Sequence, residues 1–236
     1  MMKTFTLSKE NIELAKAEIL ALTKAKKYSL YNNLMFVETK LPFSFLKRLA
    51  YTKKIDGKEL KQGFGLRKPH LRPGFHPSSL NPKLARAFVN LTGIKNGTIA
   101  DCFVGTGGIL IEAGLIGLNV IGYDIDGQML ERSESNFKHF KIKNYKLFLQ
   151  DATKIKRKIN YIVADLPYGH ATKKIDKNLY LSFLKNLKKI LGKRAVIGFP
   201  DYINYKSLLK KARFKITKEF NYYIHKSLTK KIVLIE

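Results

Sequence analysis

One cysteine, no tryptophan and only 18 acidic residues occur in this chain of 236. The single cysteine, Cys102, excludes an internal disulfide and a cysteine-rich metal site, so no metal centre is expected. It falls at the end of an apolar run and reads as a small buried residue rather than a nucleophile. Missing too are an apolar run long enough to span a bilayer and a signal-peptide pattern at the N-terminus. These absences predict a soluble cytoplasmic protein with no membrane partner. The shortage of acid is the most telling. Against 18 Asp and Glu stand 45 Lys and Arg, a formal net charge of +27. Lysine-rich surfaces are commonly balanced by glutamate in ion-pair networks. Here the balance is absent and self-repulsion costs stability. A polyanionic partner explains such a surplus, nucleic acid foremost.

The chain divides into three stretches. Residues 1–55 read as a small helix–strand–helix region. Ser8 is placed to cap a helix over about Glu10 to Ala25, with Ile12, Ala15, Ile19 and Leu22 on one face. Leu34 to Glu38 reads as a strand, and Pro42 starts a second helix through Phe45, Leu46 and Leu49. Residues 56–75 read as a basic linker whose Arg67, Lys68 and Arg72 suit a phosphate-contacting arm. From His76 to residue 236 the rhythm changes. Asn81-Pro82 is an N-cap with proline at the first helical position. Short apolar strands then alternate with helices. The strands are expected at Thr98–Cys102, Asn119–Tyr123, Lys146–Leu149, Asn160–Ala164 and Ala195–Phe199. The helices are expected at Gly108–Ile116, Gly127–Phe140, Asn178–Leu191 and Tyr205–Ala212, with a closing antiparallel hairpin near Phe214–Tyr222 and Lys231–Ile235. This alternation predicts an α/β, Rossmann-like, mostly parallel sheet covered by helices on both faces.

Chemistry gathers at the strand ends. The first strand runs into Asp101-Cys102-Phe103-Val104-Gly105-Thr106-Gly107-Gly108, a glycine turn at a helix start. Such turns let a ligand approach the backbone closely. It is neither a strict dinucleotide fingerprint nor a P-loop. The second strand ends at Asp124-Ile125-Asp126. Asp124 suits ribose hydroxyls and Asp126 suits capping the next helix. The third strand is followed by Asp151-Ala152, where a carboxylate can accept from the amino group of an adenine. The fourth delivers Asp165-Leu166-Pro167-Tyr168-Gly169. There a carboxylate and a turn carbonyl can each accept one N–H of an exocyclic amine, and a Tyr ring can stack on the base. Any one of these pieces is a weak signal; their order along successive strands is specific.

This ordered array resembles class I S-adenosylmethionine-dependent methyltransferases that modify exocyclic amines of nucleic acid bases. With His76-Pro77-Ser78-Ser79-Leu80-Asn81-Pro82-Lys83-Leu84-Ala85-Arg86, it is most similar to the archaeal and eukaryotic tRNA guanine-N2 methyltransferases acting at position 10. The likeness covers about residues 67 to 236. A weaker likeness of Leu7-Ser8 to Ala17-Glu18, and of Arg48 to Thr52, to the start of the family's ferredoxin-like region implies a small α+β N-terminal region. Family members carry an RNA-binding THUMP domain before the catalytic domain, and here a short linker stands in its place. Another chain is then expected to supply RNA binding, such as a small zinc-binding activator subunit, or else the positive charge compensates. Leu166 replaces the first proline of the commoner D-P-P-Y, but the contact expected there is a backbone carbonyl, which Leu supplies.

The resemblance implies S-adenosylmethionine as methyl donor and tRNA as substrate. Asp101, Phe103, Gly105, Thr106, Gly107, Gly108, Asp124, Ile125, Asp151 and Ala152 would hold the donor. Asp165, Leu166, Pro167 and Tyr168 would serve catalysis. Lys173 and Lys174 join the linker cations as RNA contacts. Three rival readings share parts of this pattern: an adenine-N6 or cytosine-N4 methyltransferase, a non-catalytic RNA-binding subunit, and an NAD-dependent dehydrogenase. The whole reading requires Asp165 beside the glycine turn and reachable by a base. A fixed, inaccessible ion pair at Asp165 would contradict it.

Overall fold

Apolar side chains alternate with threonine along Met2–Leu7, and this segment is strand β1, with Phe5 and Leu7 fully buried. The computed structural model describes residues 1–167, 178–226 and 228–236. β1 lies at the centre of a five-stranded sheet, flanked by β3 (Leu34–Glu38) and β4 (Thr52–Ile55), with β2 (Tyr28–Tyr31) and β5 (Lys58–Glu59) at the edges. Its described pairings are antiparallel, Phe5 standing between Met35 and Ile55. The expected helix–strand–helix arrangement therefore misses four strands. Helix α1 (Ile12–Thr23) does form, but Asn11 caps it, accepting the Leu14 amide at 2.9 Å. Ser8 does not serve as that cap. Helix α2 (Phe43–Leu46) is a single turn that stops short of Leu49. The segment expected as linker opens with a hairpin. Asp56 and Gly57 have φ of 49° and 77°, the paired left-handed geometry of a tight β-turn, and they return the chain into β5.

The second sheet has seven strands, in the order β11-β12-β10-β9-β6-β7-β8. They are β6 (Thr98–Asp101), β7 (Asn119–Asp124), β8 (Tyr145–Leu149), β9 (Ile159–Asp165), β10 (Leu191–Pro200), β11 (Ile216–His225) and β12 (Leu228–Ile235). β6 to β10 pair in parallel; β12 runs antiparallel to β10, and β11 to β12. The five parallel strands and the closing hairpin agree with the sequence to within a few residues. Among the described residues five α-helices accompany this sheet: α3 (Pro82–Leu91), α4 (Gly108–Gly114), α5 (Gly127–His139), α6 (Leu179–Ile190) and α7 (Tyr205–Lys211).

Period-two alternation divides the core. Ile99, Val163 and Val196 face α3, α4 and α5 through Leu84, Phe88, Leu110 and Phe137, and this layer continues into Leu14 and Ile19 of α1 and Phe5 of the first sheet. Ala100, Ile162, Ala164 and Ile197 face the other way, against Phe183, Leu187 and Leu209 of α6 and α7. Strand order reverses between β6 and β9, the switch point at which open α/β sheets bind ligands beyond the carboxyl ends of their strands.

Buried polar groups lock the two sheets together. Glu18 of α1 is fully buried and accepts the amides of Ala50 and Tyr51 at 3.0 and 2.9 Å and the Asn90 side chain of α3 at 2.8 Å. Burial raises its carboxyl above the ordinary value, and those hydrogen bonds oppose the rise. Glu112 of α4, also fully buried, binds Arg67 at 2.7 Å and Arg86 at 2.7 Å. Among the described residues no helix is long and apolar enough to cross a membrane.

Candidate active site

β6 ends in Asp101, which is 1% exposed and accepts the Phe103 amide at 3.0 Å. Burial, and then the nearby carboxylates of Asp165 and Asp124, push its carboxyl up to about 8. Gly105 and Gly107 take φ of 52° and 79°, a left-handed geometry that favours glycine. At Gly107 space also forbids a side chain, since a Cβ would lie 2.6 Å from the Phe137 ring. Helix α5 holds this turn. Ser133 donates to the Gly105 carbonyl at 2.7 Å and Asn136 to the Thr106 carbonyl at 2.8 Å. Thr106 meets Ser79 hydroxyl to hydroxyl at 2.9 Å, so the segment before α3 also braces the turn.

Asp124 closes β7. Its carboxylate accepts the Gly105 amide at 2.8 Å and the Asp126 amide at 3.1 Å, which ties the second strand end to the glycine turn. Burial raises its carboxyl. Asp126 caps α5 through the Gln128 amide at 2.9 Å. Ile125 between them is 74% exposed, an apolar side chain at the rim of the crevice. Past β8, Asp151 accepts the amide and hydroxyl of Thr153, each at 2.8 Å. Burial works to raise its carboxyl, but those bonds and the Lys154 ammonium hold it below the ordinary value. Ala152 is buried, its carbonyl taken by Asn186 at 3.0 Å. Phe103 packs edge-on against Phe183 at 4.9 Å.

β9 delivers Asp165 on the other side of the switch point. Burial raises its carboxyl, while a charge-assisted hydrogen bond from Lys230 to Oδ1 opposes the rise. The Asp165 side chain keeps 14% exposure beside this pair. Leu166 is fully buried and its amide donates to the Gly198 carbonyl at 3.1 Å. The Pro167 carbonyl accepts the Tyr180 hydroxyl at 2.6 Å. Tyr168, Lys173 and Lys174 lie outside the described residues. The carboxylates of Asp101, Asp124, Asp151 and Asp165 thus stand at the carboxyl ends of four adjacent strands. Two cavities of about 440 and 610 Å³ open at the opposite edge, around Lys24, Gly93 and Lys193, away from these acids.

The linker arginines behave otherwise than expected of a phosphate-contacting arm. Arg67 is committed to Glu112, and Arg72 is 3% exposed with its Nε donating to the Arg67 carbonyl at 2.9 Å. Both guanidinium groups turn inward because a buried carboxylate lies there and Gly108 leaves room beside Arg72. Only Lys68 of the three is exposed. Sequence reading also overlooked Lys230 and Gly198. Lys230 stands next to Lys231 in a chain rich in lysine, and only its place at the even positions of a buried strand, with Ile232 and Leu234, hints that it points inward.

Residues 69–230 match the family described as RMKL-like, methyltransferase domain. A DNA methylase family matches residues 2–135, which end before Asp165. The tRNA (guanine(10)-N2)-dimethyltransferase of Methanothermobacter thermautotrophicus is 42% identical over 75% of this chain and 54% of its own length. The probable tRNA (guanine(10)-N2)-dimethyltransferase of Methanothermococcus thermolithotrophicus is 33% identical over 64% of this chain and 95% of its own. Among solved structures, TrmN from Thermus thermophilus superposes with a TM-score of 0.57 at 19% identity, over 89% of this chain and 58% of that one. The chain spans about half the length of the first curated relatives it matches. The glycine turn, the acids at successive strand ends and these matches agree: the fold is that of a class I methyltransferase, and the chain belongs to the RMKL-like methyltransferase-domain family.

Proposed function

We propose that this chain transfers a methyl group from S-adenosylmethionine to the exocyclic N2 amine of a guanosine in tRNA, at a site of the position-10 type. The observation that carries the proposal is the row of four carboxylates at adjacent strand ends around the glycine turn. The names of the relatives point to the same chemistry.

The residues present fit the donor. Asp124 has spent one lone pair of each oxygen on a backbone amide and keeps acceptor capacity for ribose hydroxyls. Ile125 offers an uncovered apolar surface to a purine face, and Asp151 an acceptor for its amino group. Gly105 leaves open space beside the turn that Thr106, Gly107 and Gly108 complete, with Asp101 and Phe103 near the methionine portion and Ala152 beside the base. When bound, the donor supplies an electrophilic methyl on a sulfonium.

The protein's part is positioning and electrostatics. Guanine N2 is a poor nucleophile because its lone pair is delocalised into the ring. Acceptance of its two N–H groups by Asp165 and the Leu166 carbonyl favours a pyramidal nitrogen aimed at the methyl. Asp165 then takes the proton that the methylated nitrogen sheds. Holding both reactants in place supplies much of the rate gain, and preorganised acceptors supply most of the remainder. Pro167 stiffens the turn, and Tyr168 is assigned from sequence to stack on the extruded base.

In domain terms, residues 76–236 serve as the methyltransferase domain and residues 1–55 as a ferredoxin-like part, the intervening stretch tying them together. Lys68, Lys173 and Lys174 remain the RNA contacts assigned from sequence, and an RNA-binding or zinc-binding helper subunit is the partner the short linker calls for. Affinity for RNA then falls steeply with salt. With ~6–10 phosphate contacts on a duplex, raising salt from 50 to 200 mM costs ~10³–10⁵ in binding constant. Filter binding at four salt concentrations measures the slope, and a flat profile removes the electrostatic account.

The direct test uses a labelled methyl donor, unmodified tRNA transcript and identification of the product nucleoside. N2-methylguanosine or its dimethyl form supports the proposal. The DNA methylase match favours a second reading, and N6-methyladenosine or N4-methylcytidine would establish it.

A further inference from the structure

Lys230 is 1% exposed, the one lysine among the residues buried most deeply in the described chain. It sits on β12, two strands from Asp165, with β10 between them. In register, Gly198 of β10 stands beside Asp165 of β9, and Pro200 of β10 stands opposite Lys230. The lysine must therefore cross the face of β10 to reach the carboxylate. It crosses at Gly198. A Cβ there would lie 2.6 Å from Asp165 Oδ1, 3.1 Å from the Phe88 ring and 3.2 Å from Lys230 Cδ. No left-handed φ calls for glycine at this position, so space is the reason for it. Its neighbour Lys231 is partly exposed and bonds Asn221 at 2.9 Å, an ordinary surface arrangement.

On the proposed function above, we infer that Lys230 is a positioning residue for methyl transfer: reaching over Gly198, it fixes one oxygen of Asp165 and keeps the carboxylate charged for the incoming amine. A buried carboxyl left alone favours its neutral form, which cannot take up the proton that the methylated nitrogen sheds. A methylated, cationic guanine nitrogen is strongly acidic, so Asp165 needs to be ionised far more than it needs to be basic. Among the described residues, the charged groups facing Asp165 are Lys230 from β12 and Asp101 from β6; α3 presents Phe88 and β10 presents Gly198. Lys230 is the attractive member of this set and opposes the effect of burial.

The test uses the full chain with Lys230→Met, Lys230→Arg and Gly198→Ala. Two readouts are compared: the pH dependence of single-turnover methyl transfer, and the carboxyl ¹³C titration of Asp165 without RNA. Lys230→Met is expected to move the Asp165 titration and the acid limb of the rate up by about 1–3 pH units, an opposite charge being lost. The rate at neutral pH then falls about tenfold or more while donor affinity is unchanged. Lys230→Arg keeps the wild-type acid limb. Gly198→Ala retains both charges, separates them and slows transfer, which keeps the test open if Lys230→Met does not fold. An unmoved Asp165 titration in Lys230→Met, or a full rate in Gly198→Ala, overturns the inference. If wild-type protein methylates no RNA, the proposed function fails, while the carboxyl titration still tests the pair.

Discussion

Asp165→Ala is expected to lower methyl transfer by about 10³-fold or more and to leave donor binding intact. The size follows from what the residue does. It would accept an N–H in the reacting complex and take the released proton, and losses of one preorganised partner or one acid–base group run to about 10²–10⁴-fold. Donor binding is expected to be spared because Asp124, Asp151 and the glycine turn stand at or just beyond the ends of β7, β8 and β6, across the switch point from β9. Asp165→Asn separates charge from shape. It keeps one carbonyl acceptor and the packing against Gly198, and its rate should also fall steeply, since the amide cannot receive a proton. Calorimetric titration with the donor and single-turnover transfer measure the two effects separately. Loss of donor binding in both variants would mean that Asp165 organises the pocket and has no part in the chemistry.

The second large effect is on stability. Glu112→Ala is expected to lower the unfolding free energy by about 3–5 kcal/mol, the usual result of removing one partner from a buried ion pair. Glu112 is fully buried and carries two guanidinium groups, with both of its oxygens bonded to Arg67 and one of them also to Arg86. Arg86 is itself 3% exposed and cannot move to water without disturbing α3. Arg67 anchors the segment joining the two sheets. Urea denaturation followed by circular dichroism measures the loss. A change under about 1 kcal/mol would mean the cluster behaves as an exposed pair.

What could be read from the sequence depended on whether one physical signal dominated. β6, β7 and β9 are short apolar runs that each end in an acid, so both the strand and its candidate site residue were legible. Asp126 was legible as a cap because it precedes a helix with no apolar competition. The strands of the first sheet were harder. β4 reads Thr-Lys-Lys-Ile, with its two lysines exposed and only its ends buried, so charge masked the pattern. The Asp56-Gly57 turn was a usable hairpin signal, hidden by its basic surroundings. Charge misled again at Arg67 and Arg72. In a chain of +27 a basic segment reads as solvated, and nothing local shows that Glu112, distant in sequence, waits to pair with it. Lys230 was hidden for the same reason, and Gly198 because its purpose lies on two neighbouring strands.

The central claim is that Asp165 and the turn behind it hold an exocyclic guanine amine against the methyl donor. Inosine pairs and stacks much as guanosine does but has no N2 amine. Once the methylated guanosine is mapped, a tRNA transcript carrying inosine at that one position tests the claim most directly. No methyl transfer to the inosine transcript is expected, with its binding unchanged. Transfer at an undiminished rate would contradict the claim.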